Sequence, residues 1–198
     1  MNNTPKLCFI DTETTGLCSK KNNIFQISAK ITNPDASEIL DEINLKFVPH
    51  SLESYDDGAL EKTGMTLEEL GSFPLSSPDA FKQFTDWLAT HVNRFDKKDK
   101  LQFLAYNAPF DVEFVRQWFL KNNDNYFGSF FWNPAICVMQ ATAWFVQSVR
   151  SAFPNFQLGT ICKCAELGWD EESAHDADYD VAKTVELYRY LRENLSQL

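Results

Sequence analysis

The run KLCFIDTETTGL, residues 6–17, constrains the fold more than any other stretch of the chain. KLCFID reads as a buried strand, and its apolar part leads straight into two acids one residue apart, Asp11 and Glu13. Side chains in a strand alternate between faces, so residues i and i+2 stand side by side. Two carboxylates in that position repel unless a positive charge or water separates them. A divalent cation would meet the requirement, and so would solvent. The remainder of the chain has to discriminate between the two.

With 198 residues, 44% hydrophobic and 14% aromatic, the chain can fill one core, and we expect a single domain over residues 1–198. No apolar run is long enough for a signal peptide or a membrane span, so the expected location is cytoplasmic and no membrane partner is expected. The five cysteines are read as small, mostly buried, reduced thiols; the lone C-x-C at Cys162 and Cys164 lacks the second pair a structural zinc site needs. A formal net charge of −10 excludes a protein that grips duplex nucleic acid through a broad basic face. Nucleic acid, if handled, is handled locally, with cations supplying positive charge at the contact.

Three strands are expected first, KLCFID, IFQISAKIT and EILDEINLKFVP, separated by turn-prone Asn and Pro residues as in an antiparallel meander. SPDAFKQFTDWLATHVNRF carries helical periodicity, with apolar residues at 81, 84, 87, 88, 92 and 95. LQFLAYN reads as a buried parallel-type strand, a helix starts near Pro109, PAICVM is a candidate fifth strand, and three helical stretches follow. The pattern is one α/β domain: a mixed sheet flanked by helices. The aromatic cluster Phe127, Phe130, Phe131 and Trp132 is expected to be core rather than a base-stacking platform.

Two further acidic features join Asp-x-Glu: Asp111, where the fourth strand passes into a helix, and HDADYDV, residues 175–181, before the last helix. Each has an ordinary explanation when taken alone. A D-x-E is commonly a solvated pair, and acids favour helix N-termini because of the macrodipole. In order and content, however, FIDTETTGL, AYNAPFDVEF and HDADYDVAKTVELY resemble the three motifs of the DEDDh, or DnaQ-like, family of 3′–5′ exonucleases. The resemblance covers residues 7 to about 191, with ALEKTGMTLEEL at the place of the family's substrate-contacting helix.

The resemblance implies a ribonuclease H-like fold with a mixed five-stranded sheet. It also implies an acidic cluster of Asp11, Glu13, Asp111 and Asp180 holding two Mg²⁺ or Mn²⁺ ions. Asp11 is expected between the two ions, with Asp111 acting through water. Thr14, Thr15, Gly16 and Leu17 are implied to approach the terminal nucleotide, together with Tyr106 and Asn107; Tyr106 stands where proofreading subunits often carry histidine. His175 precedes Asp180 by five residues, the DEDDh spacing. On a regular helix the two would be about 140° apart, so His175 is assigned to the loop before the helix as general base. Asp176 and Asp178 read as a solvated helix start. The expected activity is removal of nucleoside 5′-monophosphates from free 3′ ends, preferentially of single-stranded DNA, with RNA as the alternative substrate. A polymerase or another replication or repair protein is the candidate partner. Two other classes stay open at this point: a non-catalytic binding module that keeps the fold, and an acidic Ca²⁺-binding protein.

Overall fold

The computed structural model describes residues 5–195. Five strands form one sheet in the order β3-β2-β1-β4-β5. They are β1 (Leu7–Thr14), β2 (Ile24–Thr32), β3 (Ile39–Lys46), β4 (Gln102–Ala105) and β5 (Ile136–Cys137). β1–β2 and β2–β3 pair antiparallel, whereas β1–β4 and β4–β5 pair parallel. The expected meander followed by parallel strands is present. β1 continues past Asp11 to Thr14, so the two acids lie inside the strand rather than at its end.

Eight α-helices and a 3₁₀ turn are found among the described residues in the order of the chain: α1 (Asp57–Thr63), α2 (Leu67–Ser72), α3 (Ser77–His91), α4 (Ala108–Lys121), α5 (Phe127–Phe130), α6 (Val138–Phe145), the 3₁₀ turn Gln147–Ala152, α7 (Leu158–Cys164) and α8 (Ala177–Leu195).

The alternation of β1 sets the two faces of the sheet. Cys8 and Ile10 belong to the large core that includes Phe84 and Leu88 of α3 and Val115, Trp118 and Phe119 of α4. Leu7 and Phe9 point to the opposite face, where they meet Val181 and Val185 of α8, and the Phe9 and Tyr188 rings pack edge to face at 5.3 Å. Asp11 and Glu13 continue the Leu7–Phe9 row, so they emerge on the face covered by α8.

Three of the four residues of the aromatic cluster are core, as expected, and Trp132 is only half-buried, with Lys100 over its ring. Phe127, Phe130 and Phe131 are buried, and Phe119 packs edge to face on Phe127 at 5.6 Å. Phe47 stacks on Trp118 at 5.1 Å, tying β3's exit to α4.

Two expectations need correction. The third helix stops at His91 rather than running to Phe95, which is 90% exposed. The Asn93 side chain accepts from the Phe95 amide at 3.1 Å, and Asp99 accepts from the Asn93 amide at 2.8 Å. These local bonds compete with a further helical turn. PAICVM gives only a two-residue strand, because Val138 and Met139 already belong to α6 and the Met139 amide donates to the Tyr106 carbonyl at 2.8 Å.

Because Phe119 is fully buried at the junction of α3, α4 and α5, Phe119→Ala should destabilise the fold by about 3–5 kcal/mol. Urea unfolding monitored by far-UV circular dichroism measures this. A loss below about 1 kcal/mol would mean that this aromatic junction does not carry the core.

Candidate active site

The site forms at the C-terminal ends of the parallel strands β1 and β4, the edge where open α/β sheets place their ligands. Ligand oxygens of Asp11, Glu13 and Asp180 lie within 4.8 Å of one another. Two come from one face of β1 and the third from the first turn of α8, which packs on that face. Asp111 enters from the opposite side of the strand, in the first turn of α4. It is buried, and the Thr12 hydroxyl donates to its carboxylate at 2.9 Å. Asp111 is therefore adjacent to the cluster rather than within it.

Burial and mutual repulsion push these acids up. Burial raises Asp11 well above the usual carboxylate range, and the charges of Asp111, Glu13 and Asp180 add to it. Glu13 is pushed up to about 8, chiefly by burial and then by Asp180. Asp111 rises to about 7 and Asp180 to about 6, each chiefly through burial. One oxygen of Asp180, Oδ1, is buried without a hydrogen-bond partner. An orphaned carboxylate oxygen beside two more carboxylates is a donor set suited to a hard divalent cation. The residues present fit such an ion.

His175 lies just ahead of α8 with φ at 65°, a left-handed conformation unusual for a side chain of this size. Its backbone N–H lowers the Asp180 carboxyl, by less than burial raises it. Burial and the nearby Lys62 charge hold its imidazole below the ordinary histidine range, so it is neutral at pH 7.

Asp176 and Asp178 are not a solvated helix start. Asp176 accepts from Lys46 at 2.8 Å, from Gln26 at 3.2 Å and from the Asp178 amide at 3.0 Å. Asp178 accepts from Ser28 and from the buried Lys30, both at 2.9 Å. Ser28 and Gln26 pair with Asp11 and Glu13 across the β1–β2 ladder. The same strip of sheet that presents the acids therefore also anchors the loop carrying His175.

The loop after β1 divides its residues between cleft and scaffold. Leu17 is 81% exposed at the cleft, and Thr14 lines it while donating to the Gly16 carbonyl at 2.8 Å. Thr15 and Gly16 are buried in the scaffold. Thr15 donates to the Ser54 carbonyl at 2.7 Å and accepts from the Asn23 amide at 3.0 Å. A Cβ on Gly16 would meet Asp56 Oδ2 at 2.3 Å and Asn22 Cγ at 2.5 Å. The glycine thus admits the chain's own Asp56, which also accepts from the Leu17 amide at 3.2 Å. Lys121 braces the loop from behind, donating to the Asn22 carbonyl at 2.7 Å and to Asn23 Oδ1 at 2.8 Å. Tyr106 and Asn107 both line the cleft; Asn107 is exposed, and the Tyr106 hydroxyl is committed to the Phe156 carbonyl at 2.6 Å.

The cleft encloses about 740 Å³, within the range of small-ligand sites. Its lining combines the acids with the apolar side chains of Leu17, Phe110, Met139, Leu158 and Trp169. Lys62, at the end of α1, lines it as well. Sequence reading missed the roles of Lys30, Lys46, Lys62 and Lys121. The signal available was a lysine inside an otherwise apolar strand at position 30, which needs a buried partner.

Comparison with known proteins agrees with this architecture. The RNase_T family model, described as exonuclease, matches residues 8–188. The chain is 26% identical over 189 residues to the 3′-5′ DNA exonuclease Cap18 of Escherichia coli, covering 92% of this chain and 89% of that protein. It is 23% identical over 192 residues to a PolC-type DNA polymerase III of Ureaplasma parvum serovar 3, covering 93% of this chain and 11% of the polymerase. Among solved structures, the zinc-bound E. coli ExoI–ssDNA complex superposes with a TM-score of 0.77 at 19% identity, over 98% of this chain. The chain spans 42% of that exonuclease, so the likeness is one of fold: the ribonuclease H-like mixed sheet flanked by helices.

The raised carboxylates make a signed prediction. In the absence of divalent ions the native state keeps protons on these groups that the unfolded chain releases above about pH 4. Native stability therefore falls as pH rises from that range through the folded values of about 6 to 8. A bound divalent cation reverses the penalty. Thermal melts should show Mn²⁺ raising Tm by more at pH 8 than at pH 5.5. An equal gain at both pH values would place the ion away from these acids.

Proposed function

The chain belongs to the RNase_T exonuclease family, and from that premise we propose that it is a metal-dependent 3′–5′ exonuclease. It acts on single-stranded DNA, releases nucleoside 5′-monophosphates, and works as one domain over the chain. The observation that carries the reading is the convergence of Asp11, Glu13 and Asp180 within 4.8 Å on the wall of a cleft that His175 also lines. The E. coli relative is a 3′-5′ DNA exonuclease, which supports both polarity and DNA as substrate. Single strands are favoured because a chain of net charge −10 holds duplex poorly, and because the apolar residues of the cleft lining suit an unpaired base. A polymerase as partner draws support from the match to part of the PolC-type polymerase.

Asp11, Glu13 and Asp180 would hold the divalent ions, Mg²⁺ or Mn²⁺, with Asp111 alongside. Bound there, the ions would offset the negative charge of acids and phosphodiester and act as Lewis acids toward water and the leaving oxygen. The other steps belong to side chains of this chain. A ring nitrogen of His175, neutral at pH 7, accepts the proton of the attacking water. Leu17 and Phe110, with Met139, Leu158 and Trp169, offer the terminal base an apolar lining that excludes water from it. Asn107, exposed at the start of α4, offers an amide to the 3′ end.

Oligonucleotides of DNA and RNA labelled at either end test the polarity. Mononucleotides should leave only from 3′ ends, faster from DNA than from RNA, and EDTA or a blocked 3′ terminus should stop the reaction. Release from 5′ ends, or activity in chelator, would remove the assignment.

Two substitutions separate the roles within the last motif. Asp180→Asn removes a negative ligand, so Mn²⁺ affinity and rate should fall together. His175→Ala leaves the acids in place; Mn²⁺ binding by calorimetry should survive while kcat drops by roughly 10²–10⁴, with partial recovery at alkaline pH. A His175→Ala rate near that of the unsubstituted protein would mean that the imidazole is not the base.

A further inference from the structure

Two lysines line the cleft. Lys163 is ion-paired with Glu171. Lys62 makes no hydrogen bond or ion pair among the described residues, although it faces the most acidic part of the molecule. Its field reaches Asp11, Glu13 and Asp180, lowering each of them, and it reaches His175. The ammonium is therefore close enough to act on the cluster, yet stands beyond the 4.0 Å at which it would pair with any one carboxylate. A lysine in the last turn of α1 is favoured by the helix macrodipole, which accounts for the residue type there. The macrodipole does not account for an unpaired cation turned into the cleft.

The position of α1 is fixed relative to the acids. The Asp56 amide donates to the Thr15 carbonyl at 2.7 Å, and the Asp56 carboxylate holds the Leu17 amide at 3.2 Å. The strand carrying Asp11 and Glu13 and the helix carrying Lys62 are thus joined through the loop between them. An unpaired cation held at fixed standoff from an acidic cluster suits an anion lying beside that cluster. In a nucleic acid strand, the anion beside the reacting phosphate is the next phosphate along the backbone.

Resting on the exonuclease reading, we propose that Lys62 is a substrate-contacting residue whose ammonium binds the phosphate next to the one being hydrolysed. The acids and their ions serve the reacting phosphate; Lys62 serves its neighbour. In a chain of net charge −10 this gives the substrate strand a direct protein cation inside the cleft. It also predicts that the smallest good substrate carries two phosphodiester linkages.

The test pairs a change in the protein with a change in the substrate. Lys62→Met and Lys62→Arg are compared with the unsubstituted protein on oligothymidylates that carry phosphate throughout, or one uncharged methylphosphonate at the second linkage from the 3′ end. First-turnover rates are measured at subsaturating enzyme. On all-phosphate substrate, Lys62→Met should lower the rate constant roughly ten- to hundredfold, the effect of losing a hydrogen bond to a charged group, and Lys62→Arg should restore most of it. With the methylphosphonate the unsubstituted protein should slow by a similar factor, and Lys62→Met should add little further loss. Additive losses, or a Lys62→Met variant as fast as the unsubstituted protein, would overturn the contact. If the unsubstituted protein releases nothing from any oligonucleotide, the exonuclease reading itself fails and takes this inference with it. Unchanged melting temperature of the Lys62→Met variant, expected for an exposed residue, separates a lost contact from lost folding.

Discussion

The electrostatic repulsion among Asp11, Glu13 and Asp180 is the constraint around which the rest of the structure is arranged. Two full charges at the 4.8 Å limit of their separation repel by roughly 3–4 kcal/mol at an effective dielectric near 20. A surface cluster would relax by swinging into water. These side chains cannot, because two stand on the central strand of the sheet and the third sits on a helix packed directly over it. Phe9 against Tyr188, with Val181 and Val185 beside them, fixes the first turns of α8 from the residue next to Asp180 onward. Apolar burial of that kind, about 1.5–3 kcal/mol for each large side chain, is what holds like charges together.

β1 divides its work by parity. Its odd-numbered residues face α8 and carry the two acids, while its even-numbered residues face α3 and α4 and build the larger core. Thr12 belongs to the second set, and its hydroxyl reaches Asp111 at 2.9 Å. The fourth acid is thereby held by the opposite face of the same strand. A shift of one residue in the β1–β2 register would turn Asp11 and Glu13 into the aromatic core, so the register and the site are specified together.

The strands and the main helices were legible because each rests on local periodicity, whereas the acidic residues were singled out by the resemblance of three motifs taken together. The shared face of Asp11 and Glu13 needs only the two-residue repeat of a strand, whereas the five-residue gap from His175 to Asp180 carries meaning only through the family resemblance. What escaped were relations between distant parts of the chain. Asp178 meets Lys30 across 148 positions, and no local pattern distinguishes that anchor from a solvated helix end. Gly16 reads equally well as space for a nucleotide or for Asp56, and only the folded loop separates the two. Phe95 continues the helical period of α3 but lies past the point where Asn93 and Asp99 redirect the backbone.

The anchors of the His175 loop differ in their exposure to water. The Lys46–Asp176 pair has side chains 47% and 37% exposed, whereas in the neighbouring pair Asp178 is 45% exposed but the Lys30 side chain only 7%. Dissolved ions screen the first far more than the second. Rising ionic strength therefore weakens the ion pair of the residue beside the base, leaving its bonds to Gln26 and the Asp178 amide, more than it weakens the clamp between the start of α8 and the sheet. The fold and its acids would tolerate brine in which the imidazole had begun to wander, so salt tolerance of structure and salt tolerance of turnover are separable quantities in this molecule.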